Sequence, residues 1–136
     1  MIKRLFLILI ACDLCGCAGP PSEAPLYVSM LSPKQLESED TSTLCNTYAC
    51  MQSEKVKREL MRRGEIPEDE WALIEQQRIR IGMSDLGLLC AWGLPLNSGA
   101  IDSVGSLGVR NEWVYRPYGT DLYIYIYTED GKITSW

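Results

Sequence analysis

The chain has 136 residues, of which 46% are hydrophobic, and a formal net charge of −5. This length supports one domain with a modest core rather than two domains, and the acidic balance disfavours nucleic-acid binding, which needs basic surfaces. The sequence contains no histidine, which excludes Ser-His and Cys-His nucleophile pairs and histidine metal ligands. We therefore expect a non-enzymatic protein with no metal or cofactor.

Residues 1–16 have the order of a bacterial export signal. Two basic residues precede an apolar run over 5–11 that is too short to span a bilayer. The segment Leu14-Cys15-Gly16-Cys17 then resembles a lipobox, the site at which a diacylglycerol is joined to a cysteine thiol before cleavage. We predict a lipoprotein signal peptide over 1–16 and an acylated Cys17 that holds the protein in membrane lipid.

Cys12 is the alternative acylation site. It fits the four-residue pattern better but would leave a signal of only eleven residues, so Cys17 is preferred on length. In the usual bacterial sorting rule, Ala18 after Cys17 is compatible with the outer membrane, whereas Asp13 after Cys12 would retain the protein in the inner membrane. We therefore predict an outer-membrane protein that faces the periplasm. An ordinary secretory signal is a third interpretation, weakened because no Ala-x-Ala cleavage site is present.

The segment 17–33 is predicted to be a tether. Prolines stand at positions 20, 21, 25 and 33, and no helical period is visible. Because proline removes a backbone donor and favours extended backbone, we expect this Pro-rich stretch to hold the domain off the membrane.

Residues 34–78 are predicted to form a helical preface. Leu44 and Tyr48 share a face of a short helix between residues 38 and 51. A second helix begins at Ser53 and ends at Gly64, and a third runs from Pro67 to about Arg78 and buries Trp71 and Ile74.

The second of these helices carries a basic stripe, formed by Lys55, Lys57, Arg58, Arg62 and Arg63. A basic stripe of this kind can bind anionic lipid headgroups or an acidic protein partner. A solvated helix face is the simpler interpretation, because four acidic residues follow within 65–70 and would neutralise it.

The stretch 81–95 predicts the helix around which the rest of the chain is organised. Gly82 permits a sharp turn, Ser84 is placed to cap the first helical turn, and Gly93 and Pro95 end the helix. One face of this helix carries apolar side chains, namely Leu86, Leu89 and Cys90.

After Pro95 the periodicity changes to two-residue alternation, which predicts strands over about 96–104, 112–116, 122–127 and 132–136. A Gly-rich loop over 105–108 follows the first strand. Trp113 and Tyr115 share one face of the second, and Asp130-Gly131 forms a tight hairpin turn. The sequence thus predicts an α+β fold with two layers, in which N-terminal helices pack on a three- to four-stranded antiparallel sheet.

The strand 122–127 places aliphatic residues on one face and Tyr123, Tyr125 and Tyr127 on the other. On an uncovered sheet face, these tyrosines would make an amphipathic docking surface for a protein partner. The alternative is that they only cover the second face of the sheet with hydroxyl groups in water.

Three further cysteines, Cys45, Cys50 and Cys90, would reach the periplasm, where disulfides are permitted. In a continuous helix, residues five apart hold their Cα atoms roughly 8–9 Å apart, beyond bridging range. A Cys45–Cys50 disulfide would therefore need a break near Ala49, and we leave that pairing open. Cys90 is expected to be a buried small hydrophobe.

Several short motifs occur together between residues 79 and 136, namely Gly82-Met83-Ser84, Trp92-Gly93-x-Pro95, Asn97, Glu112-Trp113-Val114-Tyr115 and Tyr125-x-Tyr127-x-x-Asp130-Gly131-Lys132-x-Thr134-Ser135. As a set they resemble the SmpA/OmlA domain, the family that includes the BamE component of the outer-membrane β-barrel assembly machinery. The resemblance implies a two-layer α+β fold, a lipid anchor and a non-enzymatic role in the outer envelope. It marks as family positions Gly82, Met83, Trp92, Gly93, Pro95, Trp113, Tyr115 and Gly131.

Two residues depart from the family pattern. Gly87 lies inside the predicted helix, where glycine costs about 1 kcal/mol relative to alanine. Thr128 replaces the large apolar residue usual before the turn. The chain is therefore described as BamE-like, and we expect contact with a protein partner in outer-membrane assembly or integrity. The alternative is an inhibitor-type module, or one that binds a ligand or peptidoglycan.

Overall fold

The computed structural model describes residues 23–102 and 108–136. The predicted signal over 1–16, the acylated Cys17, its alternative Cys12 and most of the Gly-rich loop lie outside these residues. Within the described ranges the elements are α1 Glu23–Met30, α2 Pro33–Leu36, α3 Thr41–Met51, α4 Glu54–Arg63, a 3-10 turn Glu68–Glu70, α5 Trp71–Glu75, α6 Asp85–Trp92, β1 Asn97–Asp102, β2 Arg110–Tyr115, β3 Ile124–Glu129 and β4 Lys132–Ser135.

The strands form one antiparallel sheet in the order β1-β2-β3-β4, and the helices pack against one of its faces. The predicted two-layer α+β fold is therefore confirmed. The observed β3 begins two residues later than predicted, and Leu122, which was expected in that strand, precedes it and is exposed. None of the helices in the described ranges combines the length and the apolar character needed to cross a membrane.

Helix α6 lies at the centre of the fold, as its sequence predicts. The Ser84 hydroxyl accepts a hydrogen bond from the Gly87 N–H at 3.0 Å, and Gly93 ends the helix with a φ of +77°. Five consecutive residues, from Gly87 to Ala91, are buried. A helix buried on all sides needs partners all round, and α6 packs on α3 and α5 and contacts the sheet.

The cysteines pair differently from the arrangement considered in the sequence. Cys45 of α3 and Cys90 of α6 form a disulfide, with Cα atoms 4.1 Å apart. Helix α3 is continuous through Met51, so Cys45 and Cys50 face in different directions and are too far apart along the helix to bridge. Cys90 is buried as expected, but as half of a disulfide that joins the two central helices.

The predicted tether is partly wrong, because residues 23–30 are helical. Pro25 lies in the first turn of α1, where the missing N–H costs no intrahelical bond. Pro33 opens α2 behind Ser32, whose side chain forms a capping box with Gln35. Two of the four prolines therefore mark helix starts, and α1 packs on α3 rather than extending away from the domain.

The other helices of the preface agree with the sequence in place but not always in length. Helices α3 and α4 are confirmed, with Gly64 ending α4 at a φ of +66°. The third helix is shorter than predicted: Pro67 precedes the 3-10 turn, and α5 ends at Glu75. Trp71 and Ile74 are buried as expected.

The basic stripe of α4 is occupied by contacts within the domain. Arg62 and Arg63 pair with the buried Glu59, and Lys57 pairs with Glu75. The two remaining basic residues bond backbone carbonyl oxygens, Lys55 that of Leu31 and Arg58 that of Glu54. The stripe is thus neutralised mainly by Glu59 and Glu75, and not by the acidic run that follows it in sequence.

Candidate protein-binding surface

The outer face of the sheet carries the predicted row of tyrosines. Alternation in β3 points Ile126 into the core, where it is 0% exposed, and leaves Tyr125 46% exposed on the other side. Tyr123 stands just before the strand and is 49% exposed, and Tyr127 is half-buried. The structure thus brings the three predicted residues together on one face, directed away from the helices.

Strand β2 supplies the neighbours of this row. In the antiparallel register, Val114 lies opposite Tyr125, and Glu112 lies opposite Tyr127. Residues paired in this way project from the same side of a sheet. We call Tyr123, Tyr125, Tyr127, Glu112 and Val114 the tyrosine face.

Two arginines stand against the ends of the tyrosine face. The Arg110 guanidinium lies 5.2 Å from the ring centroid of Tyr127, and that of Arg116 lies 5.9 Å from the ring centroid of Tyr123. Both distances fall within the range of cation–π attraction. A hydrogen bond donated to the Glu112 carboxylate raises the pKa of the Tyr127 hydroxyl.

The sequence reasoning missed Glu112, Arg110 and Arg116 as parts of this surface. The signal was present, because Arg110, Glu112, Val114 and Arg116 recur at every second position. We assigned only the opposite side of that strand, through Trp113 and Tyr115. Assigning residues to both faces of this strand, and not to one, would have placed the two arginines beside the tyrosines.

The chemistry of the tyrosine face is that of a contact surface. Aromatic rings offer apolar area at low conformational cost, while hydroxyls, a carboxylate and guanidinium groups offer directional hydrogen bonds. In the part of the chain that the structure describes, no cluster of three or more histidine, cysteine, aspartate or glutamate residues is arranged to hold a metal ion.

Most of the residues that carry the resemblance to the SmpA/OmlA domain lie away from the tyrosine face, where they join α6 and the turn before it to the strands. The Gly82 N–H donates to the Ile133 carbonyl at 2.7 Å, and the Ile133 N–H donates to the Met83 carbonyl at 2.9 Å. The Asp85 N–H at the start of α6 donates to the Gly131 carbonyl at 3.0 Å. The β3–β4 hairpin is thus attached to the N-terminus of α6, and the outer edge of β4 is covered.

The C-terminus of α6 is attached to β2 by an aromatic pair. The rings of Trp92 and Tyr115 meet edge to face, with centroids 5.3 Å apart. The Tyr115 hydroxyl donates to the Gly93 carbonyl at 3.1 Å, and the Trp92 indole N–H donates to the Gln77 carbonyl at 2.9 Å. Pro95 follows in the connection to β1 and is half-buried between two exposed leucines.

Thr128, which departs from the pattern that the sequence resembles, forms polar contacts in a buried position. Its hydroxyl accepts a hydrogen bond from the Trp113 indole N–H at 3.1 Å and is itself bonded to the Asp85 carboxyl group. Thr128 is 0% exposed, so an apolar residue there would leave the half-buried indole of Trp113 and carboxyl of Asp85 without this partner. Burial raises the pKa of Asp85, and the bond from Thr128 opposes that shift.

A scan against models of known protein families found no match, and searches of curated protein sequences and of solved structures found no similar chain.

Proposed function

We propose that this chain is a non-enzymatic lipoprotein of the bacterial outer membrane, anchored by an acylated Cys17 and facing the periplasm. In this proposal it is BamE-like and acts by protein–protein contact in outer-membrane assembly or integrity. The tyrosine face is the contact surface, and the β-barrel assembly machinery is the partner that the resemblance to the SmpA/OmlA domain implies.

The observation that carries the proposal is the outward position of the tyrosine row. The solvent-facing side of an antiparallel sheet normally carries polar residues. Here that side carries three aromatic rings and Val114, with charged side chains at the ends. Interfaces between proteins are enriched in tyrosine and arginine and have a polar rim. The composition and layout of the tyrosine face match that description.

The family positions support the proposal in a different way. All of them except Trp113 take part in a contact that fixes α6, or the turn before it, to the sheet or lie in the connection beside it. Trp113 joins β2 to β3 through its bond to Thr128. This arrangement gives a physical reason for that set of residues to occur together, since the joint between helix and sheet depends on them. None of the family positions belongs to the tyrosine face, so the residues of that face are available for binding.

The test is affinity purification of the full-length lipoprotein from detergent-solubilised bacterial envelopes. We expect the wild type to recover subunits of the barrel assembly machinery, and Tyr125→Ala to reduce that recovery by about tenfold, the effect of removing a well-packed interface tyrosine. Tyr118→Ala is the matched control, because Tyr118 is exposed on the β2–β3 connection but lies outside the tyrosine face.

Thermal unfolding of both variants should match the wild type, since neither side chain is part of the core. Unchanged recovery with Tyr125→Ala would leave the tyrosines as a solvated covering. Recovery of a periplasmic enzyme or of peptidoglycan instead of envelope-assembly proteins would favour the alternative of an inhibitor-type or ligand-binding module. Mass spectrometry of the mature N-terminus tests the anchor separately.

A further inference from the structure

Helix α1 presents an outward apolar face. Leu26, Tyr27 and Met30 are 52%, 64% and 75% exposed. Their spacing of one and four residues places them within a sector of roughly 100° on the helix. The segment from Ala24 to Leu31 contains no charged residue, so this face lacks the charged groups that usually keep an exposed helix in water.

The opposite side of α1 is fixed to the domain. Pro25, Val28 and Leu31 are buried, and the helix packs on α3. The Lys55 ammonium group donates a hydrogen bond to the Leu31 carbonyl at the end of the helix. Turning Leu26 or Met30 inward would expose Val28 and break this contact, so the apolar side chains are held outward.

The position of α1 in the chain limits what lies near this face. Glu23, its first residue, stands six residues after Cys17. Six residues span at most about 20 Å even when fully extended. An acyl chain on Cys17 lies within the bilayer, so its thioether is at the membrane surface and the first residue of α1 stays within that distance of the lipid headgroups.

We propose that the outward face of α1 lies on the lipid surface that holds the anchor, with Leu26 and Met30 in the interface and the Tyr27 hydroxyl among the headgroups. This inference rests on the proposed acylation of Cys17. Tyrosine is favoured at such interfaces because one end of its side chain is apolar and the other is polar. The acyl chains retain the protein, and the helix sets the orientation of the domain on the membrane.

The test uses the full-length acylated protein in vesicles of phosphatidylethanolamine and phosphatidylglycerol, with and without brominated acyl chains. Tyr27→Trp places a fluorophore on the proposed contact, and Tyr118→Trp is the control, since both tyrosines are 64% exposed. Subtracting the signal of the four native tryptophans isolates each new one. Bromine should quench the tryptophan at position 27 by roughly half, because an interfacial helix lies about 5–10 Å deep. The tryptophan at position 118 should be little affected.

A second variant keeps the test independent of one substitution. Leu26→Ser with Met30→Ser, in the Tyr27→Trp background, should reduce the quenching, whereas Leu122→Ser should not change it. Equal quenching at positions 27 and 118 would overturn the docking. If mass spectrometry finds an acylated Cys17 and position 27 is unquenched, only the docking is rejected. An unacylated mature chain rejects the anchor and the docking together.

Discussion

Glu70 and Ser84 are joined by two hydrogen bonds, in which Glu70 Oε1 accepts from the Ser84 backbone N–H at 2.8 Å and Oε2 accepts from the Ser84 hydroxyl at 2.6 Å. Glu70 is only 3% exposed. Because Ser84 also caps α6 through the Gly87 N–H, this pair holds the turn before α5 against the first turn of α6. The carboxylate therefore occupies the space directly beside Gly87.

Gly87→Ala should destabilise the protein by about 1–3 kcal/mol, the usual cost of overpacking a core. Helix propensity alone predicts the opposite sign, a gain of about 1 kcal/mol. A Cβ at position 87 would lie 2.1 Å from Glu70 Oε2 and 3.1 Å from the terminal methyl of Met83. The Glu70 side chain can move away only by breaking its bonds to Ser84. Urea denaturation measures the change.

The control for this prediction is Glu70→Ala, which removes the obstructing carboxylate. In that background, Gly87→Ala should cost less than in the wild type, so the two substitutions should be non-additive in a double-mutant cycle. A gain in stability from Gly87→Ala alone would mean that the carboxylate does not occupy the position described.

Loss of the Cys45–Cys90 disulfide should lower the free energy of unfolding by about 4 kcal/mol, the chain-entropy value for a loop of this size. The bridge spans 45 residues and joins α3 to α6. Urea denaturation of Cys45→Ala, with and without dithiothreitol, gives the measurement: the variant should be weakened and no longer sensitive to the reductant. Cys50→Ala should keep the reductant sensitivity of the wild type. A reductant-insensitive Cys50→Ala variant would place the bridge elsewhere.

Thr128→Val should cost about 1–3 kcal/mol, although valine has nearly the same shape and favours strands. The substitution removes the acceptor of the Trp113 indole N–H and the hydrogen-bond partner of Asp85, both in the partly buried region beneath the sheet. Thr134→Val, on the exposed side of β4, removes only a 3.3 Å hydrogen bond to the Tyr127 carbonyl at the solvent surface and should change stability by less than about 0.5 kcal/mol. Chemical denaturation of the two variants, followed by tryptophan fluorescence, makes the comparison. Equal effects would show that the Thr128 hydroxyl has no structural role.

Glu59 should give the protein a pH-dependent stability. Hydrogen bonds from Arg62 and, to a lesser degree, Arg63 lower its pKa from 4.5 to about 2. Because the folded-state pKa is depressed, the contribution is fully present above pH 4.5 and is lost as the pH falls towards 2. Glu59→Gln should therefore destabilise by about 1–3 kcal/mol at pH 7 and by progressively less in acid. Denaturation curves between pH 2 and 7 measure this dependence, with the exposed Glu68→Gln as control. If the destabilisation by Glu59→Gln does not change with pH, the charge of Glu59 is not the source of the pH-dependent stability.

Local signals predicted the elements that depend on neighbouring residues. Ser84 and Gly93 mark the ends of α6 because a cap needs only a hydroxyl or a positive φ at the right position. The tyrosines of β3 were assigned to one face because alternation is a property of a single strand. The two arginines beside the tyrosine face were equally accessible to such reasoning, since they follow the same alternation through β2 and the residue after it.

The tether was mispredicted because the proline pattern of residues 17–33 fits two different local structures. Proline is unfavourable inside a helix but compatible with its first turn, so a segment with spaced prolines is consistent with either state. Burial of Val28 and Leu31 against α3 decides between them for α1. That contact joins positions far apart in sequence, and no pattern within 17–33 reports it.

By itself, the sequence determined the centre of the fold at α6, the antiparallel strands that follow, and the side of β3 on which the tyrosines lie, because caps, turns and alternation act over a few residues. Only the tertiary structure decided that Cys45 pairs with Cys90, that Gly87 makes room for Glu70, and that Thr128 has a polar partner on each side. Each of those relationships joins residues that are distant along the chain, and they become neighbours only when the helices pack on the sheet.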